Sequence, residues 1–172
     1  MIDLAQLRFV PLDLSQPVSD FVCGNPDLDE FLKQDALVYQ NGKLASTYLC
    51  FHGSELVAYV ALTMDCVRLD EDEKVMFLEN KARLHEFPSG KIARLAVKKS
   101  WQNKGLGSFL LKVSIGKLWK LGESIGCRFA TVDAKPDALG FYERHAFIRN
   151  LHRTEKSRHT VSMRFDLLHY AP

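Results

Sequence analysis

Leu95-Ala96-Val97-Lys98-Lys99-Ser100-Trp101-Gln102-Asn103-Lys104-Gly105-Leu106-Gly107-Ser108 runs an apolar strand through a short basic loop into a glycine-started helix. Such a junction suits a phosphate group. The first four N–H groups of a helix have no intrahelical partner, and the macrodipole puts partial positive charge there. Gly105 and Gly107 let the backbone approach an anion without interference from Cβ, Lys104 adds charge, and the Gln102 amide can brace the loop. With Asn103, Leu106 and Ser108 these residues form a candidate pyrophosphate site, and Leu95, Ala96 and Val97 give the rest of a nucleotide cofactor a strand to lie along. A Walker loop is excluded, because no Gly-Lys-Ser/Thr follows an earlier glycine at the required distance. A dinucleotide fingerprint fails too, since its third glycine falls on Leu110 and no acidic residue closes a second strand.

The segment from Ile92 to Gly107 resembles the acetyl-CoA-binding core of the GNAT N-acetyltransferase superfamily, whose signature Q/R-x-x-G-x-G/A follows a strand. A second landmark lies downstream. Cys127-Arg128-Phe129-Ala130-Thr131-Val132-Asp133-Ala134, followed by Ala138-Leu139-Gly140-Phe141-Tyr142-Glu143-Arg144-His145-Ala146-Phe147, resembles the strand and FYE-x-x-G-F helix that end the cofactor site. Two motifs in order, joined by a helix of suitable length, are more specific than either. The resemblance implies an α/β (α+β) GNAT fold: one domain over residues 1–172, with a central mixed twisted sheet of six to seven strands and helices on both sides. It departs from the pattern at Ala146, where the family has glycine. A non-glycine residue pays about 1–2 kcal/mol in the left-handed conformation that ends such a helix, so a different cap through His145 is expected.

Bulk composition narrows the classes. With 172 residues, 47% hydrophobic and 26% charged, the chain supports one domain with a proper core. The start, Met1-Ile2-Asp3-Leu4-Ala5-Gln6, has no basic region before an apolar run, and no stretch approaches a membrane span, so a cytoplasmic protein without membrane contact is expected. Cys23, Cys50, Cys66 and Cys127 lack the paired spacings of zinc or redox sites, so no metal is expected. The net charge of +2 announces no nucleic-acid partner, although Lys98, Lys99, Lys104 and residues 149–158 form local basic clusters.

Along the chain, a strand over residues 7–12 precedes a helix over 27–40, capped by Asn25 with Pro26 in its first position and Leu28, Phe31, Leu32 and Ala36 on one face. Residues 47–51 and 56–63 read as a hairpin around His52-Gly53-Ser54-Glu55. The insertion 68–87 opens with Asp70-Glu71-Asp72-Glu73 and closes with bases up to Arg83, which predicts a short helix over the substrate side. Pro88-Ser89-Gly90 then reads as the turn into the next strand. A helix over 106–121 closed by Gly122, a strand over 129–133, a helix opened by Pro136, and strands over 147–152 and 161–165 joined by a polar turn at 155–158 complete the order β-α-ββ-β-α-β-α-ββ.

Acetyl transfer to an amine needs a polarised thioester carbonyl, a neutral amine and a proton for the departing thiolate. The resemblance implies that backbone groups of Leu95, Ala96 and Val97 pair with the pantetheine arm and leave an N–H for the thioester oxygen. It also assigns the general acid to Tyr142, a phenol of ordinary pKa ~10. Asp65, His85, Glu86 and Asp133 are the titratable candidates for a base, each also readable as a surface or turn residue. An α-amine, with pKa about 7.7–8.0, needs little help, whereas a lysine amine near ~10.4 needs more.

Two acceptor readings remain open, beside a non-catalytic CoA-binding module that the presence of Tyr142 disfavours. The balanced charge favours a small amine or peptide acceptor, for which acceptor binding depends only weakly on salt. Alternatively, Phe21-x-Cys23-Gly24-Asn25-Pro26-Asp27-Leu28-Asp29-Glu30-Phe31-Leu32 resembles the toxin branch of the family, which acetylates aminoacyl-tRNA and is held by a small antitoxin. A homodimer is compatible with either reading.

Overall fold

The computed structural model describes residues 4–78, 84, 86–152 and 159–170. Seven strands form a mixed sheet in the hydrogen-bonded order β1-β2-β3-β4-β5-β7-β6. They are β1 (Leu7–Pro11), β2 (Ser46–His52), β3 (Glu55–Val67), β4 (Phe87–Val97), β5 (Phe129–Ala134), β6 (Ile148–Arg149) and β7 (Val161–Asp166). The helices are α1 (Pro26–Glu30), α2 (Ala36–Asn41), α3 (Glu71–Leu78), α4 (Leu106–Gly122) and α5 (Leu139–Glu143). β4 and β5 run parallel, whereas β1–β2, β2–β3, β5–β7 and β6–β7 run antiparallel. By their contacts the residues fall into two compact units, Met1–Thr63 with Ile92–Ser114 and Met64–Lys91 with Ile115–Pro172.

In the first unit the start of α1 follows local cap chemistry. The Asn25 side chain accepts from Asp27 N at 3.1 Å and Pro26 takes the first helical position. The helical path then passes through a π-type turn, Phe31–Asp35, before α2, so the single helix predicted over 27–40 is broken by a wider turn. Its apolar face packs as predicted: Phe31, Leu32 and Ala36 are buried with Phe21, Leu49, Tyr59 and Ala96, and Leu28 lies against them. The Tyr59 hydroxyl donates to Leu28 O at 2.7 Å, tying α1 to β3.

The second unit corrects two readings. Pro88-Ser89-Gly90 is no turn but part of β4, with Ser89 and Gly90 paired to Phe129 and Ala130. Pro88 lacks an N–H, but its carbonyl accepts from Arg128 N at 2.7 Å. Gly90 packs closely, since a Cβ there would sit 2.3 Å from Leu118 Cδ2 and that side chain would have to shift. The strand read over 147–152 is also shorter, because Phe147 is taken up in ending α5. The predicted polar turn at 155–158, the basic stretch up to Arg83 and His85 lie outside the described residues.

The insertion does contain a helix, α3, and its start is reciprocal: Glu73 N donates to Asp70 Oδ1 at 2.9 Å and Asp70 N to Glu73 Oε2 at 3.1 Å. Glu73 also accepts from the buried Arg164 of β7 at 2.7 Å, and Arg164 donates to Asn150 Oδ1 at 2.7 Å. None of the four cysteines is in a disulfide, and no helix among the described residues is long and apolar enough to cross a membrane.

Candidate active site

From Val97 the first unit's chain turns through the 3-10 segment Lys99–Trp101 into α4. Asn103 and Gly105 both take left-handed backbone, φ 60° and 87°, and a Cβ at Gly105 would meet nothing within 4 Å. The first helical bond runs from Phe109 N to Gly105 O at 3.1 Å, so the amides of Leu106 and Gly107 precede it and have no intrahelical acceptor. Open space at Gly105 and unspent N–H groups fit a pyrophosphate. Lys104 stands 5.3 Å from the Trp101 ring, and Lys99, Asn103 and Lys104 are exposed.

The Gln102 side chain is spent within the protein. Its Nε2 donates to Cys23 O at 2.7 Å and to Val97 O at 3.0 Å, committing both protons to the protein. It therefore braces the loop, and the Val97 carbonyl is occupied by that brace. Lys99 N donates to Val22 O at 2.9 Å, and Lys98 N to Val57 O at 2.8 Å. Glu55 accepts from Lys98 Nζ at 2.7 Å and Trp101 Nε1 at 3.2 Å; the bond from Lys98 holds its carboxyl below the ordinary value. Leu95 and Val97 are half-buried and Ala96 is buried.

In the second unit Tyr142 lies on α5, half-buried, with the Phe141 ring 5.1 Å and the Phe147 ring 5.5 Å away. Burial pushes its phenol up to about 12. The expected cap through His145 is replaced by something stricter. Ala146 itself takes φ 62°, its N donates to Glu143 O at 3.1 Å, and Phe147 N reaches back to Tyr142 O at 3.1 Å. These two bonds, with the Phe147–Tyr142 ring contact, make up a Schellman motif, in which the chain satisfies the last helical carbonyls only by turning left-handed. The bonds outweigh the alanine strain.

The base candidates are engaged. Lys91 Nζ stands 3.1 Å from Asp133 Oδ2 and 3.3 Å from Asp65 Oδ2, and Thr131 Oγ1 donates to Asp65 at 2.6 Å. Burial pulls the Lys91 pKa down, but Asp133 and Asp65 outweigh it and the net value is raised. Glu86 pairs with Arg68. Among the described residues no group of three or more His, Cys, Asp or Glu could hold a metal ion.

The family model of the acetyltransferase (GNAT) domain matches residues 45–149, which hold both the loop and Tyr142. The chain is a GNAT acetyltransferase. It is therefore an acetyl-CoA-dependent N-acetyltransferase. A tRNA-acetylating toxin of Mycobacterium tuberculosis (strain ATCC 25618 / H37Rv) is 31% identical over 127 residues, 73% of this chain and 74% of that protein. AtaT complexed with acetyl-methionyl-tRNAfMet superposes with a TM-score of 0.78 at 21% identity, covering 93% of this chain and 94% of that one. A tyrosine-to-phenylalanine mutant of the AtaT toxin, bound to the C-terminus of its antitoxin AtaR and acetyl-CoA, gives 0.75 at 19% identity over 95% and 94%.

One substitution tests the loop. Gly105→Glu places a carboxylate where an anion is to bind and an L residue at φ 87°. Acetyl-CoA affinity in calorimetry is expected to fall at least about 100-fold, the equivalent of one or two charge-assisted hydrogen bonds of about 1.5–3 kcal/mol each. Unchanged affinity in a folded GNAT variant would remove the loop from the site.

Proposed function

We propose that this GNAT acetyltransferase transfers the acetyl group of acetyl-CoA to the α-amine of aminoacyl-tRNA, as a toxin restrained by a small antitoxin. The observation that carries this is the 31% identity with a tRNA-acetylating toxin over 73% of the chain. Two features agree with it. The resemblance of residues 21–32 to the toxin branch lies where cap and core geometry are well defined, around Asn25 and Phe31. The carboxylates Asp65, Asp133 and Glu86 are all paired with cations, which suits an α-amine already partly neutral near pH 7.7–8.0 better than a lysine.

The net charge of +2 had favoured a small amine, but net charge averages over the surface. Arg94 and Lys99 are exposed and provide local positive charge that the total conceals.

In this reading Leu106, Gly107 and Ser108 N–H groups with Lys104 and Asn103 hold the pyrophosphate, Gly105 opens the approach, and Gln102 braces the loop. Backbone groups of Leu95, Ala96 and Val97 align the pantetheine arm, and a backbone N–H polarises the thioester oxygen. The neutral amine attacks the carbonyl carbon directly, the C–S bond breaks, Tyr142 gives its proton to the departing thiolate, the new amide nitrogen releases its extra proton to water, and water returns a proton to the Tyr142 phenolate.

The test uses charged initiator and elongator tRNAs with labelled acetyl-CoA. Acetylated aminoacyl-tRNA is the expected product, and the logarithm of acceptor affinity is expected to fall by about 0.7–0.9 per phosphate contacted for each decade of salt. A shallow slope, with free amines or peptide termini acetylated and charged tRNA left unmodified, would return the small-acceptor reading.

A further inference from the structure

We infer that Ala146 is a positioning residue for the Tyr142 phenol: its left-handed backbone closes a clasp that holds Tyr142 by both its carbonyl and its ring. The inference rests on the reading of Tyr142 as proton donor. Three contacts converge on one residue. His145 N and Phe147 N both donate to Tyr142 O, at 2.9 and 3.1 Å, and the Phe147 ring stands edge-on to the Tyr142 ring at 5.5 Å. Phe147 is itself anchored, 2% exposed and 5.7 Å from the Phe165 ring of β7.

The geometry depends on the residue between them. With Ala146 at φ 62° the chain doubles back, so that the Phe147 N–H reaches Tyr142 O beside the bond from Ala146 N to Glu143 O. In right-handed or extended backbone Phe147 would leave the Tyr142 carbonyl and ring together. Alanine pays a strain that glycine would not, and a β-branched residue pays more. α5 is only five residues long, so its own helical bonds cannot keep Tyr142 in place once the clasp opens. Among the described residues the phenol hydroxyl makes no hydrogen bond, so no polar tie at the hydroxyl duplicates the hold of the clasp. Burial alone raises its pKa, with no charged neighbour contributing, so the ionisation of the phenol reports whether the clasp is shut.

The experiment compares Ala146→Gly, Ala146→Asn, Ala146→Val and Phe147→Leu with the parent chain and with Tyr142→Phe. Glycine and asparagine tolerate φ near 60° and are expected to keep kcat within about twofold. Valine is expected to lower kcat at least about tenfold with KM for acetyl-CoA unchanged, since a displaced acid of about 1 Å costs up to 10²-fold. Phe147→Leu leaves residue 146 alone and removes the ring, so it reads the same displacement if the valine variant does not fold. In both displaced variants one additional tyrosine is expected to ionise by about pH 10.5, as an ordinary phenol does, in near-ultraviolet titration. Valine and leucine variants with parental kcat and parental tyrosine titration would overturn the inference. If instead Tyr142→Phe is fully active, the proton-donor reading fails and the inference with it, an outcome distinct from a silent Ala146→Val beside a crippled Tyr142→Phe.

Discussion

Replacing Tyr142 by phenylalanine is expected to lower kcat about 10²–10⁴-fold while leaving acetyl-CoA affinity almost unchanged, because only the hydroxyl proposed as the proton donor is lost. That range corresponds to about 2.7–5.5 kcal/mol of barrier. The ring contacts with Phe141 and Phe147 survive the change, so the fold should hold. The pH profile gives the sign. An acid works while protonated, and burial moves the Tyr142 pKa up to about 12, so the rate is retained through the neutral and mildly alkaline range and lost only as pH rises through that value. The proposed α-amine acceptor reacts only when neutral, so on that reading the rate of the parent enzyme climbs through about pH 7.7–8.0 and then stays level to about pH 10. Stopped-flow or single-turnover kinetics across that range check both limbs. Full activity in the phenylalanine variant, or a fall in rate near pH 9, would dismiss Tyr142 as the acid.

Glu73→Ala is expected to destabilise the fold by about 3–5 kcal/mol, because it removes the carboxylate that accepts from the buried Arg164 guanidinium in the second unit. Arg164 is 2% exposed and cannot shed its charge. The same substitution removes half of the reciprocal cap at the start of α3. For a chain of this size a loss of that order lowers the melting temperature by roughly 10 °C. Arg164→Met combined with Glu73→Met removes both charges and should recover most of the loss, since an apolar pair of similar volume is often neutral or better. A Glu73→Ala variant melting within about 2 °C of the parent would mean that Arg164 is neutralised some other way.

What could be read from the sequence divides by range. The Asn25-Pro26 start of α1 and the Gly105 opening of α4 were legible because caps and left-handed turns are decided within a few residues. The ties that fix the loop were not: Gln102 reaches Cys23 across 79 positions and Trp101 reaches Glu55 across 46, with no local pattern to announce either. Pro88-Ser89-Gly90 has the composition of a turn, yet packing against Leu118 decides Gly90 and places the segment in β4. At Ala146 the sequence displays only the penalty for left-handed alanine, because the bonds that outweigh it come from residues on both sides at once. The resemblance singles out the loop and Tyr142 as candidates, and a relative named as a tRNA-acetylating toxin points to a different acceptor from the one net charge suggests.

The chain has only two tryptophans, and one of them is Trp101, with its indole N–H on Glu55, the His52 ring 4.8 Å away and the Lys104 ammonium over its face. The other, Trp119, belongs to the second unit beside Tyr170. A charge drawn from above an indole changes the energy of its excited state, so a nucleotide phosphate that recruits Lys104 would alter the emission of one fluorophore and leave the other as an internal reference. The loop proposed for the pyrophosphate thus carries its own optical gauge, and its occupancy can be followed without a label.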